Sequence, residues 1–143
     1  MFFGEYSHSM DEKGRLRVPA KLKNLINGEY VVTKGTSSCL FLFPKAHFEQ
    51  EFLTKLNNVP TFNTAQQKPI RLLLSSTYMV EEDGQGRFAL PGYLKTFANL
   101  EKNVVFIGVG SRIEIWSEDA WNNYQGEASE FDDLSSALAD AGI

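Results

Sequence analysis

The sequence predicts an α+β protein, rich in β-structure, built from two internal repeats with short peripheral helices. Three observations predict it. The stretch Asp11-Glu12-Lys13-Gly14-Arg15-Leu16-Arg17-Val18-Pro19-Ala20-Lys21-Leu22-Lys23 returns as Asp83-Gly84-Gln85-Gly86-Arg87-Phe88-Ala89-Leu90-Pro91-Gly92-Tyr93-Leu94-Lys95, with six of thirteen positions identical, where average residue frequencies give about one by chance. The residues after Gly14 alternate polar and apolar, the period of a half-buried strand. Apolar residues at helical spacing, Phe48, Phe52 and Leu56, close the first unit. The match continues after a one-residue change of spacing. Val31-Val32 answers Val104-Val105, Gly35 answers Gly108, Cys39–Phe43 answers Arg112–Trp116, and Phe48 answers Trp121. A unit of this length present twice is no solenoid. It predicts one pseudo-twofold domain over 1–143, each half completing the other's core. Repeat one covers about 1–56, a linker and helix 57–76, repeat two about 77–126, and an acidic C-terminal segment 127–143.

Taken in order, Phe2 to Ser7 is aromatic with weak alternation and reads as a strand. Asp11 to Gly14 reads as a turn, because an Asp carboxylate accepts from backbone N–H groups just downstream and Gly supplies a positive φ. Arg15 and Arg17 then point out while Leu16 and Val18 point in, so residues 2–18 look like a hairpin with Asp-x-x-Gly at its tip. Pro19 opens a short helix, where its missing N–H costs nothing, and Asn27-Gly28 stops it. Tyr30–Lys34 and Cys39–Phe43 are strands around a turn at Gly35 to Ser38, and Lys45 to Leu56 is an amphipathic helix. Asn57 to Pro69 is read as a link, and Ile70 to Ser76 as a helix with Pro69 in its first turn. The second copy repeats the order: strand 77–82, turn 83–86, strand 87–90, helix 91–98, strands 103–109 and 112–116, helix 118–125. In 127–143, Phe131, Leu134 and Leu138 share one possible helical face.

The bulk numbers exclude several classes. A chain of 143 residues can bury a sizeable core. No apolar run approaches the roughly 20 residues of a membrane helix, and the start lacks a signal-peptide pattern; a cytoplasmic protein is expected. Cys39 has no cysteine partner and lies in an apolar strand, so it reads as a small core residue. The net charge of −4 is unevenly placed. Residues 1–95 carry 12 Lys and Arg against 9 Asp and Glu, while residues 96–143 carry 2 against 9. Screening over roughly 8–10 Å makes local charge matter more than the total, so a basic face is possible. Metal-ligand spacing, P-loop and nucleophile-elbow motifs are absent from the sequence, and His8 and His47 read as surface residues. Neither catalysis, a metal nor a cofactor is expected, nor is a small-molecule substrate.

The paired Asp-x-x-Gly-Arg elements, the opening Met-Phe-x-Gly-Glu-Tyr, and Ile107 to Trp116 together resemble the MraZ family of bacterial transcriptional regulators across nearly the whole chain. That resemblance implies an AbrB-like, swapped-hairpin β-barrel. It also implies a repressor that binds double-stranded DNA at the promoter of the division and cell-wall gene cluster, its own gene included. A ring-shaped homo-oligomer associated with the nucleoid is implied too. The family's Asp followed four residues later by Arg falls on Asp11 with Arg15 and on Asp83 with Arg87. The second copy departs from the first at Gln85, opposite Lys13 in the alignment, and at Ala89, opposite Arg17.

For Arg15 and Arg87 the pattern alone leaves two roles open: contact with DNA, or pairing with their own Asp to stiffen the turn. The resemblance favours DNA, where arginine pairs with guanine O6 and N7 or with phosphate. Asp11 and Asp83 would be repelled by phosphate and are assigned to shaping the turn, as are Gly14 and Gly86. Lys13 and Arg17 flank Arg15 and are expected on phosphates, or else are ordinary solvated charges. Lys21 and Lys23 are weaker candidates. Cys39–Phe43 and the Phe48/Phe52 face could join subunits, though ordinary core is the simpler reading. A protein-interaction module, antitoxin-like, docking a partner through 127–143, is the competing expectation.

Overall fold

Strands and short helices follow one another in the same order in each half. The structure, a computed structural model, describes the backbone of residues 1–126 and 130–143 and the side chains outside 127–133. Strands β1 (Glu5–Ser9), β2 (Arg15–Arg17), β3 (Tyr30–Lys34) and β4 (Leu40–Pro44) form the first half, with helix α1 (Ala20–Lys23) between β2 and β3. Strands β5 (Tyr78–Met79), β6 (Arg87–Ala89), β7 (Asn103–Val109) and β8 (Arg112–Ser117) form the second, with α5 (Gly92–Phe97) between β6 and β7. After β4 the chain runs through α2 (Lys45–His47), a π-helical stretch (Phe48–Phe52) and α3 (Leu53–Asn57). Helix α4 (Thr64–Ser76) joins the halves, and α6 (Glu118–Gly126) and α7 (Glu130–Asp140) end the chain.

Six strands make one sheet in the order β1-β7-β8-β4-β3-β5, and β2 with β6 make a separate two-stranded ribbon; every pairing is antiparallel. The hairpin expected over residues 2–18 therefore does not form as a ladder. The strand begins at Glu5 rather than Phe2, and β1 pairs with β7 of the second half. Its counterpart β5, shorter than the expected 77–82, pairs with β3 of the first half. Each half lends its opening strand to the other. The reason is packing: after the turn, Leu16, Val18, Phe88 and Leu90 must all be buried, and they are when β2 pairs with β6 edge to edge over the sheet. The strands do not close into a barrel, which corrects the barrel expectation; among the described residues β1 and β5 remain the sheet's edges.

The local twofold relation is visible in the register. Leu16 stands opposite Phe88, its own counterpart, and Phe41 stands opposite Glu114, its own counterpart. An axis relating the halves therefore passes through the ribbon and the centre of the sheet.

Alternation sends β-strand side chains to two faces. On one face Val32, Leu40, Leu42, Val104, Phe106, Ile113 and Ile115 pack beneath the ribbon and the two short helices, joined by Leu22 of α1 and Leu94 of α5. Pro19 and Pro91 precede those helices with φ of −52° and −54°, the conformation a proline ring fixes in advance. On the other face, Cys39, Val105, Ile107 and Trp116 pack with Trp121 of α6, and Val31, Phe43 and Phe48 pack with Phe52 and Leu53. The strand Cys39–Phe43 and the Phe48/Phe52 face thus meet one another within the chain, as core.

Two smaller readings also change. The link over 57–69 gives way to α4 at Thr64, capped by the Asn63 side chain accepting from Gln66 N–H, and Pro69 lies inside that helix rather than at its start. The helix is mostly exposed, so the carbonyl that proline leaves unbonded can meet water. Leu134 and Leu138 of α7 are exposed, while Phe131 lies outside the described side chains.

Candidate nucleic-acid interface

The two Asp-x-x-Gly-Arg turns are built alike. In the first, Asp11 Oδ1 accepts from the N–H groups of Lys13 (3.0 Å) and Arg15 (2.8 Å), Oδ2 takes Arg15 Nε at 2.7 Å, and Gly14 N–H donates to Asp11 O at 2.9 Å. In the second, Asp83 Oδ1 accepts from Gln85 (2.8 Å) and Arg87 (2.9 Å), Oδ2 takes Arg87 Nε at 2.9 Å, and Gly86 N–H donates to Asp83 O at 3.1 Å. Gly14 and Gly86 sit at φ of +73° and +76°, a conformation a side chain would strain. The bonds from Arg87 N–H, then Gln85 N–H and the Arg87 side chain, hold Asp83 down at about 2. Asp11 is lowered by the same kind of contacts, led by Arg15 N–H. Both carboxylates are charged at any physiological pH, and both are tied into the backbone of their own turn.

The ribbon brings the turns together. Arg15, Arg17 and Arg87 share the face of β2–β6 opposite Leu16 and Phe88, with Arg17 directly across from Arg87 and Arg15 across from Ala89. Arg15 Nη1 also reaches Asp83 Oδ2 of the other turn at 3.7 Å. So each arginine does pair with its own aspartate, by the Nε edge. The terminal nitrogens of Arg87 have no hydrogen-bond partner among the described residues. Lys13 and Arg17 are exposed and make no ion pair among the described residues.

Two contributions escaped sequence reasoning. The first is Lys95 of α5, whose Nζ would lie 3.3 Å from a Cβ placed on Gly14, so the second half supplies a cation to the first half's turn. Its counterpart Lys23 lies toward the Gly86 turn but is held by Glu82, with Nζ 2.8 Å from both carboxylate oxygens. Glu82 also accepts from the Tyr30 hydroxyl. Burial opposes the Glu82 charge, yet Lys23 and Tyr30 outweigh it and its pKa stays lowered. In the first half Met10 stands where Glu82 stands in the second. The identity of Lys23 and Lys95 at the end of the repeated stretch was the signal available. The second contribution is His8, half-buried rather than a surface residue, with Nε2 3.2 Å from Arg17 N. The result is unequal turns: Lys13, Arg15 and Lys95 gather at the first, while the second holds Arg87, with Arg17 across from it, beside Glu81 and Glu82.

Fold and site together define a class: duplicated α+β proteins whose halves exchange strands and present two Asp-x-x-Gly-Arg turns on one basic ribbon. The family model described as MraZ protein, putative antitoxin-like, matches this chain twice, over residues 1–70 and 73–141. The chain is 39% identical over 98% of both lengths to the transcriptional regulator MraZ of Carboxydothermus hydrogenoformans. It is 39% identical over the full length of both chains to those of Syntrophomonas wolfei and Clostridium beijerinckii. The chain belongs to the MraZ family.

Proposed function

We propose that this chain is a sequence-specific DNA-binding transcriptional regulator, a repressor acting at the promoter of the division and cell-wall gene cluster that includes its own gene. The observation that carries the reading is the placement of Arg15, Arg17 and Arg87 on the outer face of one two-stranded antiparallel ribbon. The major groove of B-DNA, about 12 Å wide, admits such a ribbon. Arg15 and Arg87, fixed by their aspartates, turn their terminal nitrogens to base edges; Lys13 and Arg17 take flanking phosphates. The relatives' name, transcriptional regulator, supports the role.

One ribbon is a small footprint. Affinity then comes from several copies bound to promoter repeats, as in a ring-shaped homo-oligomer, where linkage raises effective concentration. The exchanged first strands support a fold of the AbrB-like swapped-hairpin kind, here laid open as a sheet.

The exposed Leu134 and Leu138 on the acidic helix α7 favour a second reading, an antitoxin-like module docking a protein. Purification from the native host separates the two. Co-purifying DNA released steeply by salt supports the regulator. A stoichiometric protein partner, lost on deleting residues 127–143 and with no DNA present, supports the module.

A further inference from the structure

Two of the positions at which the halves differ lie in contact. His8 and Arg17 in the first half stand where Val80 and Ala89 stand in the second. In the structure the pair is in contact: the backbone N–H of Arg17 donates to His8 Nε2 at 3.2 Å. An imidazole nitrogen accepts only while it carries no proton, so His8 is neutral here with its proton on Nδ1. The ring is fixed from the other side by Phe106, edge to face at 5.8 Å between centroids. Val80 has no side-chain acceptor to offer, so Ala89, which matches Arg17 in the second half, has no such support.

We propose that His8 is the positioning residue that sets Arg17 on the ribbon, and that selective DNA binding through the first half is lost when its ring takes up a proton. The proposal rests on the reading of the ribbon as the DNA-contacting surface. Protonation replaces the acceptor by an N–H that points at the Arg17 N–H, and it sets a second positive charge beside Arg17. The end of β2 must then move away from β1. The elements that chiefly pack on β1 are β7 and β2. From β7, Val104 and Phe106 bring no charge to His8; from β2, Arg17 is the charged group that faces it; Tyr6 on β1 and Met10 just past its end flank it in sequence. Burial, and then Arg17, keep the ring's pKa below its ordinary 6.5, so the transition lies on the acid side of that value. Asp11 and Asp83 stay ionised throughout that window.

A protonated His8 also strengthens non-selective attraction to phosphate, so discrimination is the readout rather than affinity alone. The full-length protein is titrated against a duplex from upstream of its own gene and a scrambled duplex, at pH 7.5 and pH 5. Moving the end of β2 also carries Arg15, on the same three-residue strand, off its base edge, so wild type is expected to lose about tenfold of its preference at the lower pH, the scale of one misplaced base contact. His8→Gln, whose amide oxygen accepts at either pH, keeps its preference at both. His8→Val lacks it at both. In the DNA-free protein the Arg17 amide resonance follows the titration of the His8 ring. An Arg17 amide indifferent to that titration overturns the proposal whatever the DNA result. So does an equal pH dependence in wild type and His8→Gln. If the amide follows the ring but wild type shows no preference at pH 7.5, the DNA reading has failed and the proposal falls with it.

Discussion

Arg17 and Arg87 stand directly opposite one another across the ribbon, two guanidinium-bearing residues as register partners on its outer face. Like charges placed so destabilise an antiparallel pair. Neither the fold nor the core gains from the arrangement, whereas a polyanion laid over the ribbon would turn it to advantage. Arg17→Ala is therefore expected to raise the stability of the free protein by about 0.5 kcal/mol at low salt while weakening DNA binding. The slope of log affinity against log salt should fall by about 1. Thermal melts with and without DNA, in parallel with a salt titration, check both signs.

The second turn predicts an acid dependence. Asp83 is held at about 2 against an ordinary 3.8, so its folded-state pKa is depressed. Its contribution is complete above 3.8 and is lost as pH falls toward 2. Wild type should lose melting temperature over that interval more steeply than Asp83→Asn, which has no charge to lose. Equal slopes in the two proteins would show that the Arg87 contacts do not hold the carboxylate.

Glu82 restrains Lys23 and carries its negative charge next to the second turn. Glu82→Gln keeps an acceptor for the Tyr30 hydroxyl and releases Lys23. Stability should fall by about 1 kcal/mol for the lost charged hydrogen bond, and DNA affinity at low salt should rise a few-fold. Denaturant unfolding and a gel-shift titration measure the two effects.

Three glycines should respond differently to alanine. Gly86, at φ +76°, should cost about 1 kcal/mol. Gly84 has no positive φ and nothing near its Cβ position, so the change there should be close to neutral. At Gly108 a Cβ would run into the backbone of Phe3, so Gly108→Ala must displace the N-terminal segment that bridges Phe2 to Gly110, at about 2–3 kcal/mol. Chemical denaturation of the three variants ranks them.

Much of this was legible in the chain. The Asp-x-x-Gly turns follow from side-chain chemistry within five residues, and β3, β4, β7 and β8 follow from short, largely apolar runs set off by turn residues, because local patterns determine local structure. The partners of β1 and β5 were not legible. A short strand carries the same alternation whichever edge it joins, and only the need to bury Leu16 against Phe88 sends the two opening strands across to the opposite halves. Helix α4 was read short because Pro69 signals a start, and the cap at Asn63 was outweighed by the polar run Gln66, Gln67 and Lys68 that follows it. At the site, the arginines and aspartates announced themselves by repetition. His8 and Lys95 did not, since each acts on a turn far from it in sequence or on a backbone N–H rather than on a charged side chain.

On the proposed function the ribbon reads DNA, and mainly through its first turn. The most direct measurement is footprinting on the duplex upstream of the protein's own gene, across a salt series, with wild type, Arg15→Ala and Arg87→Ala. Wild type should give a discrete protected region, lost at lower salt in both variants, with Arg15→Ala the weaker by about tenfold or more. Protection unchanged by either substitution, or Arg87→Ala as the more damaged protein, would contradict that reading.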